Sequence, residues 1–255
     1  MAISLVLAHI SALLVAALVL VWALGFRTNF FLISSYAGGA TSVTHPDHLY
    51  SVLHYLLMVI GFILLAGEGM LAHRREAAQL WLQGAALGFA ISGIWAKFKG
   101  KNGLLANFYS LHSWIGLLCL LLFAAQWAER FLRFWRKGEG RRARAAPLLP
   151  WHVFVGLVAY GLAVAAAECG LAEKLASLQA KHGLSRRSPE STFVNILGLA
   201  LAILCGVVVF AAVGDGSGSA IVGSNGHRHS SSKLALSHKK DGDDRISESW
   251  ISPPF

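Results

Sequence analysis

The sequence predicts an all-α polytopic membrane protein, a bundle of six transmembrane helices. Three observations carry that prediction. Hydrophobic residues fill 55% of the 255 positions and charged residues only 14%, with a mean hydropathy of +0.56. The apolar residues gather into six runs, each near the ~20 residues that cross a bilayer at ~1.5 Å per residue. The polar and charged residues fall between those runs. The formal net charge of +9 follows this segmentation, so it is not a nucleic-acid signal.

The first run, 3–26, is too long for a signal peptide and lacks a basic leading segment. Its one histidine, His9, has no partner signature and reads as a packed or interfacial residue. The loop to Leu49 is polar and Gly-rich; His45, Asp47 and His48 there form either a metal site or a solvated cluster. The second run, 50–72, holds His54 near its start and Glu68 near its end. An intramembrane carboxyl either serves a proton path or a ligand, or hydrogen-bonds near the interface. The third run, 80–96, is the shortest, and its small residues Gly84, Ala85, Gly88 and Gly93 permit close helix approach. Lys97, Lys99 and Lys101 follow it.

The fourth run, 108–127, opens in the string NFYSLHSWIG with His112 one turn inside. The fifth, 151–167, opens in PWHVFVG, with Pro150 where its missing N–H costs nothing and His152 just beyond. The sixth, 192–213, has no ionisable residue apart from its cysteine, and reads as packing. Cys119, Cys169 and Cys205 form no CxxC and read as small packing residues. The chain divides into a membrane domain, 1–213, and a Ser-, Gly-, His- and Lys-rich tail, 214–255, which reads as disordered. His227 and His229 in that tail carry no specific signal.

Six spans place both termini on one side. Arg74 and Arg75, seven cations over 130–144 and five in the tail would share that side, against eight on the other. The excess predicts both termini in the cytoplasm.

His54 and His112 lie on spans that run the same way, each about 6 Å below the same end. Two imidazoles at equal depth either are separate hydrogen-bonded core residues or grip a flat macrocycle from both faces, as axial ligands of haem iron. His152 sits at the opposite end. The residue facing it at the start of the third span is Gln79, and His73 is about 9 Å further out.

Taken together, NFYSLHSWIG, PWHVFVG, LLMVIG with GEGML, and GLAEKL resemble the cytochrome b561 family over residues 10–213, in particular plant members described as transmembrane ascorbate ferrireductases. The resemblance implies two haems b per chain, one near each membrane face, in a bundle that is usually a homodimer. It implies electrons passing from cytoplasmic ascorbate to monodehydroascorbate or a ferric chelate across an endomembrane, vacuolar or plasma membrane. His54 and His112 would ligate the outer haem iron, and His152 with a third-span histidine the inner one. Gln79 stands where that histidine belongs. Arg74 matches a basic residue at the inner haem propionates. Asn107, Phe108, Tyr109 and Ser110 match the segment lining the outer haem, and Glu173 a carboxylate beside it. Lys99 replaces the family's outer substrate histidine, Tyr55 replaces a proline, and Arg144 lies one place from an expected basic position. Arg74, Arg75, Arg141, Arg142 and Arg144 either hold the ascorbate anion or fix topology and bind anionic lipid headgroups.

Overall fold

The structure is a computed structural model that describes residues 2–27, 46–72, 75–99, 109–135, 149–182 and 184–214. All six apolar runs are helices long and apolar enough to cross a membrane, and the described residues contain no strand. Helix α1 is Ala2–Val21, continued by the π-helical turn Trp22–Arg27. Helix α2 runs through Pro46–Leu56, a π-helical stretch Leu57–Leu64, and Leu65–Leu71. Helices α3, α4 and α5 are Glu76–Lys99, Leu111–Trp135 and Leu149–His182. Helix α6 is Pro189–Gly214. Residues Ala2–Ala211 pack as one compact unit.

Three helices outrun their apolar stretches. The 34 residues of α5 span about 51 Å, well beyond a hydrocarbon core of about 30 Å. Hydropathy ends the fifth run at Ala167, but nothing between Glu168 and His182 breaks a helix. At the end of α4, Arg133 pairs with Glu129 one turn earlier, which carries the helix past Trp127. The third run, the weakest by sequence, is a full 24-residue helix. In the other direction α4 starts at Leu111 rather than Phe108. The Ser110 hydroxyl accepts the N–H of Ser113 at 3.3 Å, an N-cap that sets the first turn. Helix α6 starts the same way: Ser188 caps the Ser191 N–H at 3.2 Å, and Pro189 follows it.

The core threads between the helices. Val15, Val19 and Trp22 of α1 join Phe62 and Ile63 of α2, Ala86 and Ala90 of α3, Tyr160 and Val164 of α5, and Leu197, Leu201 and Leu204 of α6. At Gly61 a Cβ would meet the Cβ of Phe89 at 2.5 Å, so α2 and α3 touch almost backbone to side chain. The outer wall is apolar too: Ile3, Leu13, Leu199 and Phe210 are all more than half exposed, which suits hydrocarbon. Exposed Trp81, Trp135 and Trp151 mark one end of α3, α4 and α5, and exposed Trp95 of α3, Tyr109 just before α4 and Trp114 of α4 mark the other end of α3 and α4. These are two interfacial aromatic belts.

His9 and Glu68 meet across α1 and α2, Nε2 to Oε2 at 3.1 Å. Of the two sequence readings of Glu68, this contact favours the hydrogen-bonded one. His9, read as packed or interfacial, is half-exposed and makes this contact.

Candidate haem site

His54 belongs to the α-helical first part of α2, three residues before the π-helical stretch. Inserted π turns widen a helix and collect at functional sites. The imidazole is buried at 6% exposure. Its Nδ1 lies 2.8 Å from the carbonyl oxygen of Gly93 on α3. His112, on the first turn of α4, places its Nδ1 2.7 Å from the carbonyl of Ala166 on α5. One turn further along α5, Gly170 leaves the room the ring needs: a Cβ there would stand 2.9 Å from His112 Nδ1.

Four helices thus aim two imidazoles at one space. A carbonyl only accepts, so each Nδ1 carries the proton and each Nε2 keeps its lone pair. That is the arrangement of metal-ligating histidines, whose second nitrogen is held by an outer acceptor.

The ring centroids are 6.3 Å apart with planes at 87°. Two metal–nitrogen bonds of about 2 Å and two ring radii of about 1.1 Å give a span of about 6.2 Å. The pair therefore fits one iron between its rings, and no cluster of three or more His, Cys, Asp or Glu among the described residues competes as a metal site. Phe62 and Phe123 pack edge to face at 5.0 Å farther down the bundle, part of an apolar wall suited to a macrocycle. Around the same end, Trp22 packs against Tyr55 with ring centroids 5.1 Å apart and planes tilted by 53°, and donates its indole N–H to buried Glu190 at 3.3 Å. This α1–α2–α6 lock gave no sequence signal.

The opposite end is different. His152 Nε2 lies 3.3 Å from Arg130 Nη1, and His152 Nδ1 lies 3.6 Å from Glu129 Oε2. Gln79 is buried, and its Oε1 has no hydrogen-bond partner among the described residues. Here the residues do not fit an axial pair: the third-span position offers a carboxamide, and the imidazole nitrogen that would face iron faces a guanidinium. Sequence reading assigned Arg130 only to the charge balance. Its spacing held a signal: it lies eighteen residues after His112, about five turns, and so on the same face of α4.

The remaining expected residues scatter. Lys99 sits over the Trp95 ring at 5.8 Å, at the histidine-pair end. Tyr109 is 87% exposed, so it stands clear of the pair rather than against it. Ser110 acts as the α4 cap. Glu173 and Arg75 are exposed on α5 and just before α3. Arg74, Asn107, Phe108, Arg141, Arg142 and Arg144 lie outside the described residues, as do His45, His73, His227 and His229.

Residues 53–178 match the family described as eukaryotic cytochrome b561. The chain is 51% identical over 214 residues to a protein of Arabidopsis thaliana named probable transmembrane ascorbate ferrireductase 4, covering 81% of this chain and 83% of that one. It is 41% identical over 215 residues to transmembrane ascorbate ferrireductase 2 of the same plant, covering 80% and 88%. It is 36% identical over 216 residues to ascorbate-specific transmembrane electron transporter 2 of Zea mays, covering 81% and 86%.

Proposed function

The chain belongs to the cytochrome b561 family, and from that membership we propose an ascorbate-dependent transmembrane oxidoreductase with its working haem b between His54 and His112. The observation that supports the haem assignment is the imidazole pair, 6.3 Å apart with both Nδ1 atoms on backbone carbonyls. Haem b bound there supplies a one-electron iron couple. The two carbonyls hold the rings in the ligating tautomer and raise the basicity of the ligating nitrogens. The apolar helices keep water from the space.

Ascorbate on the cytoplasmic side gives up one electron and one proton and leaves as monodehydroascorbate. The haem held at the histidine-pair end would receive that electron. There a ferric chelate or a second monodehydroascorbate takes it up. Arg75, with Arg74 and Arg144 beyond the described residues, supplies positive charge for the donor anion. Lys99, which sits over the Trp95 ring, supplies it for an anionic acceptor. In this reading both termini are cytoplasmic, 214–255 is a cytoplasmic tail, and two copies pair in an endomembrane or plasma membrane.

The test is spectral. His54→Ala and His112→Ala should each abolish the low-spin reduced spectrum of a two-histidine haem. They should also abolish reduction of external ferric chelate by ascorbate-loaded vesicles. An unchanged reduced spectrum in both variants would overturn the assignment.

A further inference from the structure

The faces that build the histidine pair continue to the other end of the bundle. On α4, Arg130 lies on the His112 face, about five turns on. On α3, Gln79 lies fourteen residues before Gly93, the residue whose carbonyl holds His54, about four turns away on nearly the same face. On α5, His152 lies fourteen residues before Ala166, whose carbonyl holds His112. Gln79, Arg130 and His152 therefore occupy the interior positions at this end.

Local contacts agree. The Trp127 indole N–H, one turn before Arg130, reaches the Leu80 carbonyl next to Gln79 at 3.1 Å. Gln126 donates to the His152 carbonyl at 3.0 Å. Glu76, one turn before Gln79, acts electrostatically on Arg130.

The chemistry of His152 then separates the two ends. A guanidinium has N–H donors and no acceptor. The nitrogen 3.3 Å from Arg130 Nη1 must therefore offer its lone pair. That places the ring proton on Nδ1, which is buried without a hydrogen-bond partner among the described residues and points toward Glu129 at 3.6 Å. The lone pair on Nε2 is the one an axial ligand gives to iron. At the other end no hydrogen bond among the described residues takes either Nε2 lone pair.

We infer that Arg130 closes this end to haem by holding His152 Nε2, so that the chain carries haem only between His54 and His112. Gln79 is then the smaller of two obstacles, and a histidine at position 79 does not by itself open the site. The inference rests on the reading that His54 and His112 hold the haem the chain does bind.

The experiment measures haem per full-length chain by pyridine haemochromogen, with the low-spin spectrum recorded. It compares the unaltered protein, Gln79→His, and Gln79→His combined with Arg130→Ala. The expected result is about one haem in the first two and about two, the second also low-spin, in the third. His54→Ala in each background keeps the ends apart: it should remove one haem and leave the second haem of the double variant in place. Two haems in the unaltered protein or in Gln79→His overturn the inference. So does a double variant that stays at one haem while its His54–His112 spectrum is intact. Failure of the underlying reading looks different, because His54→Ala would then change no spectrum in any background.

Discussion

An imidazole is committed by whichever partner takes its first nitrogen. His54 and His112 give Nδ1 to the carbonyls of Gly93 and Ala166, with no partner for Nε2 among the described residues, whereas His152 turns Nε2 to Arg130. The three histidines look alike in the sequence, each a lone ring in an apolar run. What distinguishes them is a neighbour on another helix, which spacing along one helix does not give. Gly170 can be tested at this scale. A methyl group there would lie 2.9 Å from the His112 ring and push it off the Ala166 carbonyl. Gly170→Ala should weaken haem retention by about 10–100-fold, the usual cost of disturbing a ligand's outer partner. The rate of haem transfer to apomyoglobin measures it. Retention equal to the unaltered protein would show that the ring does not need that space.

At the scale of elements, helix packing rests on contacts as close as that of Gly61. With no hydrophobic drive between helices in lipid, close van der Waals approach carries much of the association. Gly61→Ala should force α2 from α3 at Phe89 and destabilise the bundle by about 1–3 kcal/mol, the usual range for overpacking. Thermal unfolding in detergent, followed by loss of the haem spectrum, should show a lower midpoint. An unchanged midpoint would mean that the Phe89 ring moves aside freely. The six spans themselves were legible because hydropathy alone decides what can cross a bilayer. Their ends were not, since α4 and α5 run on through polar residues such as Glu129, Arg133 and Glu173 that hydropathy scores as loop. The π-helical stretches in α1 and α2 also left no trace in apolar periodicity. Of the site, the equal depth of His54 and His112 was legible, because depth along parallel spans is a count of residues. The Arg130 contact was not, because its charge had a sufficient explanation in topology.

For the whole molecule the open quantity is direction, because it assigns donor and acceptor to the two ends. The aromatic belts suit the two membrane interfaces but are symmetric, with Trp81, Trp135 and Trp151 at one end and Trp95, Tyr109 and Trp114 at the other. Charge breaks the symmetry. The segment 130–144 alone carries seven cations at the His152 end, and short cation-rich loops stay in the cytoplasm. Lys174, Lys181, Arg186 and Arg187 oppose this at the other end, but they are fewer. Two of them, Arg186 and Arg187, stand in a turn between long helices. The native cysteines all lie within spans, so Gly138→Cys adds a single thiol to the polar segment between the fourth and fifth spans. In sealed vesicles of known sidedness, a membrane-impermeant maleimide should label it only from the cytoplasmic face. Labelling from the other face would put His54 and His112 on the ascorbate side. Lys99 would then meet the donor, and the cation-rich segment the acceptor, with the haem site itself unchanged.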